Sequence, residues 1–250
     1  MILSVFVLYA LALSVALRAK GLHTPIGERP APARPVQGRA MRVLIVGATG
    51  GTGRQLVAQA LERGHDVTAL ARNPAALGVD HPRFRIVRGN VLDAASLEEA
   101  MRGHDAVLSA LGHKQFFRPT RILSEGTRNL LRAMETQGVR RLVCLTSLGI
   151  GDSWGRMGLY YTFFVIPVIL PFYFWDKARQ ERLVAESRVD WIIVRPAALV
   201  DGPRRGAYRH GPRIGSVLRT WRISRADVAD FMLNQLTDDA YLRSPVGVGW

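Results

Sequence analysis

A chain of 250 residues with 48% hydrophobic side chains can enclose one sizeable core, which excludes a disordered or fibrous protein. Its formal net charge is +14, and of its 34 basic residues only Lys20, Lys114 and Lys177 are lysines. The lone cysteine, Cys144, excludes a disulfide framework; inside an apolar strand pattern it reads as a packed thiol suited to a reducing compartment.

The first forty residues differ from the rest. Ile2 to Leu17 is an uncharged apolar run, and Pro25 to Arg39 is a Pro/Arg-rich stretch with the composition of a disordered linker. The run is short for a bilayer span and lacks the basic start of a signal peptide. Arg18, Lys20, Arg29, Arg34 and Arg39 follow it, so an anchor here would leave the main domain in the cytoplasm, tethered to the inner face of a membrane. Equally, Met41 opens the first strand, and residues 1–40 then reflect a start codon placed too early. The expected organisation is therefore a segment over 1–40 and one domain over 41–250.

Val43-Leu44-Ile45-Val46 reads as a buried parallel strand, and Gln55 to Leu61 as a helix. Between them lies Gly47-Ala48-Thr49-Gly50-Gly51-Thr52-Gly53-Arg54. Strand, glycine-rich turn and helix in that order form a dinucleotide-phosphate site. Gly47 permits the tight turn, Gly50 close approach to a pyrophosphate, and Gly53 close packing of helix on strand. The helix start adds free N–H groups and positive dipole density, in which Thr49, Gly51 and Thr52 share.

A second strand, Asp66 to Arg72, identifies the cofactor. An NAD site places an acid near that strand's end for the ribose 2′-hydroxyl; here the place, nineteen residues past Gly53, is Arg72. With Arg54 it suits a 2′-phosphate, so NADP(H) is expected, although both arginines also fit a solvated face of an arginine-rich chain.

Further strands are expected at 84–87, 106–110, 141–146 and 191–194, alternating with helices at 95–101, 121–136 and 176–187. Asp93 caps the first of these helices, and Ser224 with Asp227 forms a capping box for a last helix through Leu236. The alternation predicts an α/β, doubly wound parallel sheet of Rossmann type in a single domain, with ligands at the strands' carboxyl ends.

From residue 41 to about 238 the chain resembles the atypical short-chain dehydrogenase/reductases, the NAD(P)H-binding branch with NmrA-like and biliverdin/flavin-reductase-like members. The resemblance rests on the glycine turn, Gly89-Asn-Val-Leu-Asp93, Ser109-Ala-Leu-Gly112, Thr146-Ser-Leu-Gly149, Asp190-Trp-Ile-Ile-Val-Arg-Pro196 and Ile223-Ser-Arg-Ala-Asp-Val-Ala229. It implies that Asn90 and Val91 lie against the adenine, with Asn90 where many relatives have Asp. It further implies that Ala110, Leu111 and Gly112 pass beneath the nicotinamide ribose and that Pro196 borders the nicotinamide.

Reduction by hydride needs a proton donor and a group to orient the acceptor. Ser147 is expected at a strand's carboxyl end. Tyr173 and Lys177, four apart, share a helix face, and an ammonium beside a phenol favours the phenolate. The Tyr-x-x-x-Lys pair is the one that dehydrogenases of the resembled superfamily use, and the step from Ser147 to Tyr173 fits its extended members. Against this, Tyr173 lies in an aromatic run, and atypical relatives often lack the tyrosine. His113, after Gly112 at a strand end, could face the cofactor but reads rather as a solvated loop histidine, and no metal-ligand cluster is apparent.

Two stretches remain. Gly158 to Trp175 carries no charge, but Pro167 and Pro171 interrupt it and exclude a span; a core segment, an apolar substrate wall, a membrane-surface contact and a subunit interface all fit. Between Arg204 and Arg225 there are seven arginines and no acid, in a loop that together with 151–175 would form a substrate lid. An anionic substrate, cofactor phosphates or acidic lipid headgroups suit that charge, as does simple solvation; without a stacking-aromatic motif, nucleic acid is not expected. The sequence thus predicts an NADPH-dependent oxidoreductase acting on a small or lipophilic carbonyl, quinone or flavin-like acceptor. A non-catalytic NAD(P)-binding redox sensor or membrane-associated assembly factor is the alternative, and a cofactor-retaining epimerase the third reading. Oligomeric state is not legible.

Overall fold

The computed structural model describes residues 29–30, 39–113 and 115–250, with the backbone alone at 29–30. The apolar run Ile2–Leu17 and Lys114 lie outside the described residues. Seven parallel strands make up the body: β2 (Arg42–Val46), β3 (Asp66–Ala71), β4 (Phe84–Arg88), β5 (Ala106–Ser109), β6 (Arg141–Leu145), β7 (Asp190–Pro196) and β11 (Ser244–Gly249). They run in the order β4-β3-β2-β5-β6-β7-β11, so the winding reverses between β2 and β5. That reversal opens a crevice at the carboxyl edge, where a doubly wound sheet binds its ligand.

The antiparallel edge on the β11 side was not legible beforehand. There β9 (Arg209–Gly211) pairs with β11, and β1 (Arg29–Pro30) pairs with β9. The linker-like stretch thus contributes a short strand, because β9 offers an unpaired edge and an edge strand tolerates proline. A separate parallel pair joins β8 (Ala198–Val200) and β10 (Arg222–Ser224).

Helices cover both faces. α1 (Gly51–Glu62) and α5 (Arg225–Asn234) pack together on one; α2 (Ala94–Met101), α3 (Ile122–Gln137) and α4 (Pro171–Ala185) lie on the other. Val43, Ile45, Leu108, Val143 and Ile192 fill the first core, while Leu44, Val46, Val107, Leu142 and Ile193 fill the second. This alternation along each strand is the period-two signature of a sheet buried on both faces. Cys144 is fully buried in the second core, and burial pushes its thiol up to about 11, which makes it inert at neutral pH.

Asp93 and Ser224 cap their helices as the sequence predicts, but the capping box is not completed. The Asp227 carboxylate accepts from Arg205 N, Gly206 N and the Trp250 indole instead, and the last helix ends at Asn234. Asp93 accepts from Ala95 N at 3.1 Å, and Ser224 accepts from Asp227 N at 3.0 Å. Pro171 occupies the first turn of α4, where its missing N–H costs nothing. Before it, Tyr161–Ile169 winds as a π-helix containing Pro167. No helix among the described residues is long and apolar enough to cross a membrane.

Candidate cofactor and active site

At the end of β2 the chain turns sharply at Gly47, whose φ of +81° is the left-handed region that favours glycine. A Cβ at Gly47 would fall on the Ala110 carbonyl of the neighbouring strand, and one at Gly53 on the Gly47 carbonyl. Both glycines are therefore needed to bring α1 down onto β2 and β5. Gly50 differs, for its nearest neighbour is its own turn, and its other side is open. α1 starts with no side-chain cap and no acid in its first turn. Its orphan N–H groups and positive dipole end thus face the crevice without a protein anion to satisfy them. A dinucleotide pyrophosphate fits this cradle.

Arg54 lies on the outer rim of the turn. Its Nε donates to the Thr49 carbonyl at 3.2 Å and its Nη2 to the Ala76 carbonyl at 2.6 Å. That second bond brings the guanidinium to the short helical turn that follows Arg72. Arg72 is exposed just past β3 and forms no ion pair among the described residues. Asn90 is exposed beyond β4, its side-chain oxygen accepting from Leu92 N, while Val91 packs toward Gly126 of α3. Ala110 and Leu111 are nearly buried after β5, and Gly112 is exposed. Pro196 is buried at the end of β7, its carbonyl accepting from Leu148 N at 3.0 Å.

One cationic group at the turn was not singled out as a cofactor contact by the sequence. The Arg225 side chain lies over Gly51, its Nε 2.7 Å from where a Cβ would stand. Its Nη1 holds Asp201 at 2.7 Å, and the Asp201 carboxylate is otherwise in solvent. The pairing of β8 with β10 produces this placement, since Asp201 and Arg225 each follow the last residue of their strand. A sequence signal existed only as the arginine after a helix-capping serine.

The acceptor half is assembled by α4. Ser147 is half-buried beyond β6, with its hydroxyl donating to the Leu148 carbonyl at 2.9 Å. Tyr173 is half-buried, and its hydroxyl is 3.7 Å from where a Gly112 Cβ would stand. Among the described residues that hydroxyl has no hydrogen-bond partner. Lys177 stands on the same helix face, 5.8 Å from the Tyr173 ring centre, but is 1% exposed. Its ammonium donates to the Leu111 carbonyl at 3.1 Å and the Leu145 carbonyl at 2.9 Å, tying together the ends of β5 and β6.

The buried side of α4 is polar. Asp176 caps α3 from outside that helix, accepting from Leu123 N at 2.8 Å and Ser124 N at 3.1 Å. Glu181 receives three bonds from Arg195 and one from the Thr146 hydroxyl, the last at 2.6 Å. Arg195 also reaches Asp152 at 2.5 Å, securing the loop after Ser147. Burial disfavours the Arg195 charge, but Glu181 and then Asp152 outweigh it and hold the guanidinium above its ordinary range. Burial likewise opposes the Asp152 charge, and Arg195 overcomes it, leaving the carboxyl below its usual range.

His113 is less solvated than the sequence suggests. Its ring packs edge-on against Tyr173 with centroids 5.0 Å apart. Nδ1 accepts from Gln115 N at 3.2 Å, so neutral His113 carries its proton on Nε2 and donates it to the Thr120 hydroxyl, 3.0 Å away. Burial lowers its pKa.

A crevice at the winding reversal, a glycine cradle at a helix start and polar groups at the adjoining strand ends define a dinucleotide-binding Rossmann protein. Comparison makes the assignment specific: the family model for NAD(P)H-binding proteins matches residues 47–239. The chain belongs to that family. It is similar to the photosystem II assembly factor Ycf39 of Synechocystis, with 30% identity over 65% of this chain and 46% of that protein. It thus spans about half the length of that relative. Among solved structures, ChuY, an anaerobillin reductase from Escherichia coli O157:H7, superposes with a TM-score of 0.67 at 23% identity, covering 83% of this chain and 96% of that one. A short-chain dehydrogenase/reductase of Veillonella parvula in complex with NADP gives 0.69 at 19% identity, covering 84% and 94%. At these identities the two structures show a shared fold.

Proposed function

We propose that this protein is an NADPH-dependent reductase of a small or lipophilic carbonyl, quinone or flavin-like acceptor. The reading rests chiefly on the Tyr173 hydroxyl, unpaired among the described residues and facing Gly112 at the carboxyl end of β5. The bound cofactor supplies a hydride, and the reduced acceptor then needs one proton. Tyr173 donates it from its phenol and is reprotonated by water, while the Ser147 hydroxyl orients the acceptor oxygen. Arg54 and Arg72 support NADPH over NADH, because two guanidinium groups suit a 2′-phosphate and no acid stands at the end of β3. Lys177 acts from beneath, holding the β5 and β6 ends and lying near the Tyr173 ring.

The test is NADPH consumption by the full chain against quinones, flavins and aldehydes, beside Tyr173→Phe. Turnover reduced by about a hundredfold in the variant, with NADPH affinity unchanged, is the expected result. Turnover retained in full removes Tyr173 from the chemistry. A second reading, a non-catalytic NADP-binding assembly factor or sensor, draws on the likeness to Ycf39 and on the burial of Lys177 between two carbonyls. Tight NADPH binding without turnover on every acceptor is its signature.

A further inference from the structure

The uncharged segment and the arginine-rich segment form one face. Gly158 N donates to the Ser216 carbonyl and Ser216 N to the Arg156 carbonyl, both at 2.9 Å. Met157 and Ser216 share a parallel bridge, and Arg156 Nη1 reaches the Pro212 carbonyl at 2.5 Å. Large apolar side chains stand out from both segments: Tyr160 is 61% exposed, Phe163 60%, Phe164 48%, Val217 58% and Leu218 76%. Tyr160 stacks on Phe164 and Trp154 meets Phe163 edge-on, so four of the rings stand as two contacting pairs. The π-helix turns Thr162 and Val165 inward while it presents Phe163, Phe164 and Val168 outward.

Charge selects the occupant. No acid occurs from 153 to 175 or from 202 to 226, and Arg213, Arg219 and Arg222 are exposed, with no ion pair among the described residues. We propose that this aromatic, arginine-rimmed face docks on an anionic lipid bilayer, with the rings at the headgroup boundary and the arginines on lipid phosphates. A second copy meeting the same face would set arginine against arginine, a repulsive arrangement for a symmetric interface. The apolar run Ile2–Leu17 carries no negative charge to match the rim. The face also adjoins the acceptor half, because Ile166 and Phe174 pack where a Gly149 Cβ would stand, two residues past Ser147. The proposal does not depend on the reductase reading, since an assembly factor could use the same face.

The full chain is mixed with vesicles of phosphatidylcholine, with and without roughly 30 mol% phosphatidylglycerol, and pelleted. Strong partition to the anionic vesicles is expected, weakened by salt. The double variant Phe163→Ser/Phe164→Ser and the double variant Arg213→Ser/Arg219→Ser should each lower the partition constant about tenfold or more, with melting temperature and NADPH affinity unchanged. No partition by the wild type, or equal partition to both vesicle types, overturns the proposal. So does partition that neither double variant alters, which would assign adhesion to residues 1–40. A dimer seen by sedimentation velocity and dissolved by Phe163→Ser/Phe164→Ser, with vesicle binding intact, would overturn it in favour of a second copy.

Discussion

The phosphate half of the crevice is made of backbone; the acceptor half is made of side chains borrowed from distant parts of the chain. From Arg42 to Ala71 the site needs only β2, a glycine turn, α1 and β3, consecutive in sequence, with ligand groups that are peptide N–H. Around Ser147 and Tyr173 each part depends on a remote partner: Asp176 on Leu123, Glu181 on Thr146 and Arg195, Lys177 on Leu111 and Leu145. A cradle of peptide N–H groups tolerates most side-chain change, so long as its glycines stay and the arginines at its rim are kept. A side-chain site rises or falls with its ion pairs.

The sharpest break in this contrast is Arg195→Met. It leaves Glu181 buried and unpaired, so urea unfolding should show a loss of about 3–5 kcal/mol. The cradle at Gly47–Gly53, on the other side of the sheet reversal, should keep its NADPH affinity where the variant is folded. A smaller effect separates two arginines within the phosphate half. Arg72→Asp should weaken NADPH about a hundredfold and NADH little, whereas Arg225→Ala should weaken both about tenfold, because it stands over Gly51 at the pyrophosphate cradle. Titration calorimetry with the two cofactors distinguishes them, and equal loss for both cofactors in Arg72→Asp would refute the 2′-phosphate assignment.

The smallest effect is a pH dependence shared by both halves. Burial lowers the pKa of His65, His104 and His113. Below the ordinary histidine value of about 6.5 the unfolded chain therefore binds protons that the folded chain refuses. Stability should be full above that value and decline as pH falls from it toward the lower folded values. Thermal unfolding across that window measures the decline, and His104→Gln should flatten it.

The same contrast explains what could be read in advance. The β2–α1–β3 unit was legible because Gly47, Gly50 and Gly53 act locally, and their spacing alone implies the turn. Strand positions from β2 to β7 were legible from their apolar runs. β11 was not, because Pro245, Gly247 and Gly249 look like turn residues until Ile214 and Ala197 are seen to crowd those glycines. The polar side of α4 was not legible for a different reason. Asp176, Lys177, Gln180 and Glu181 have the pattern of a solvated face, and only partners 14 to 66 residues away show that it is an interior. Arg225 was overlooked as a cofactor contact because its place over Gly51 arises from the pairing of β8 with β10.

The loop past β8 illustrates what such fastening does. Asp201 is held by Arg225, and one oxygen of Asp227 accepts from Arg205 N at 2.8 Å and Gly206 N at 2.9 Å. The other accepts from the Trp250 indole at 3.1 Å. A stretch containing Gly202, Pro203 and Gly206 would otherwise sample many shapes when free. Here most of that conformational entropy is surrendered during folding, so a ligand that closes against the loop has little left to immobilise.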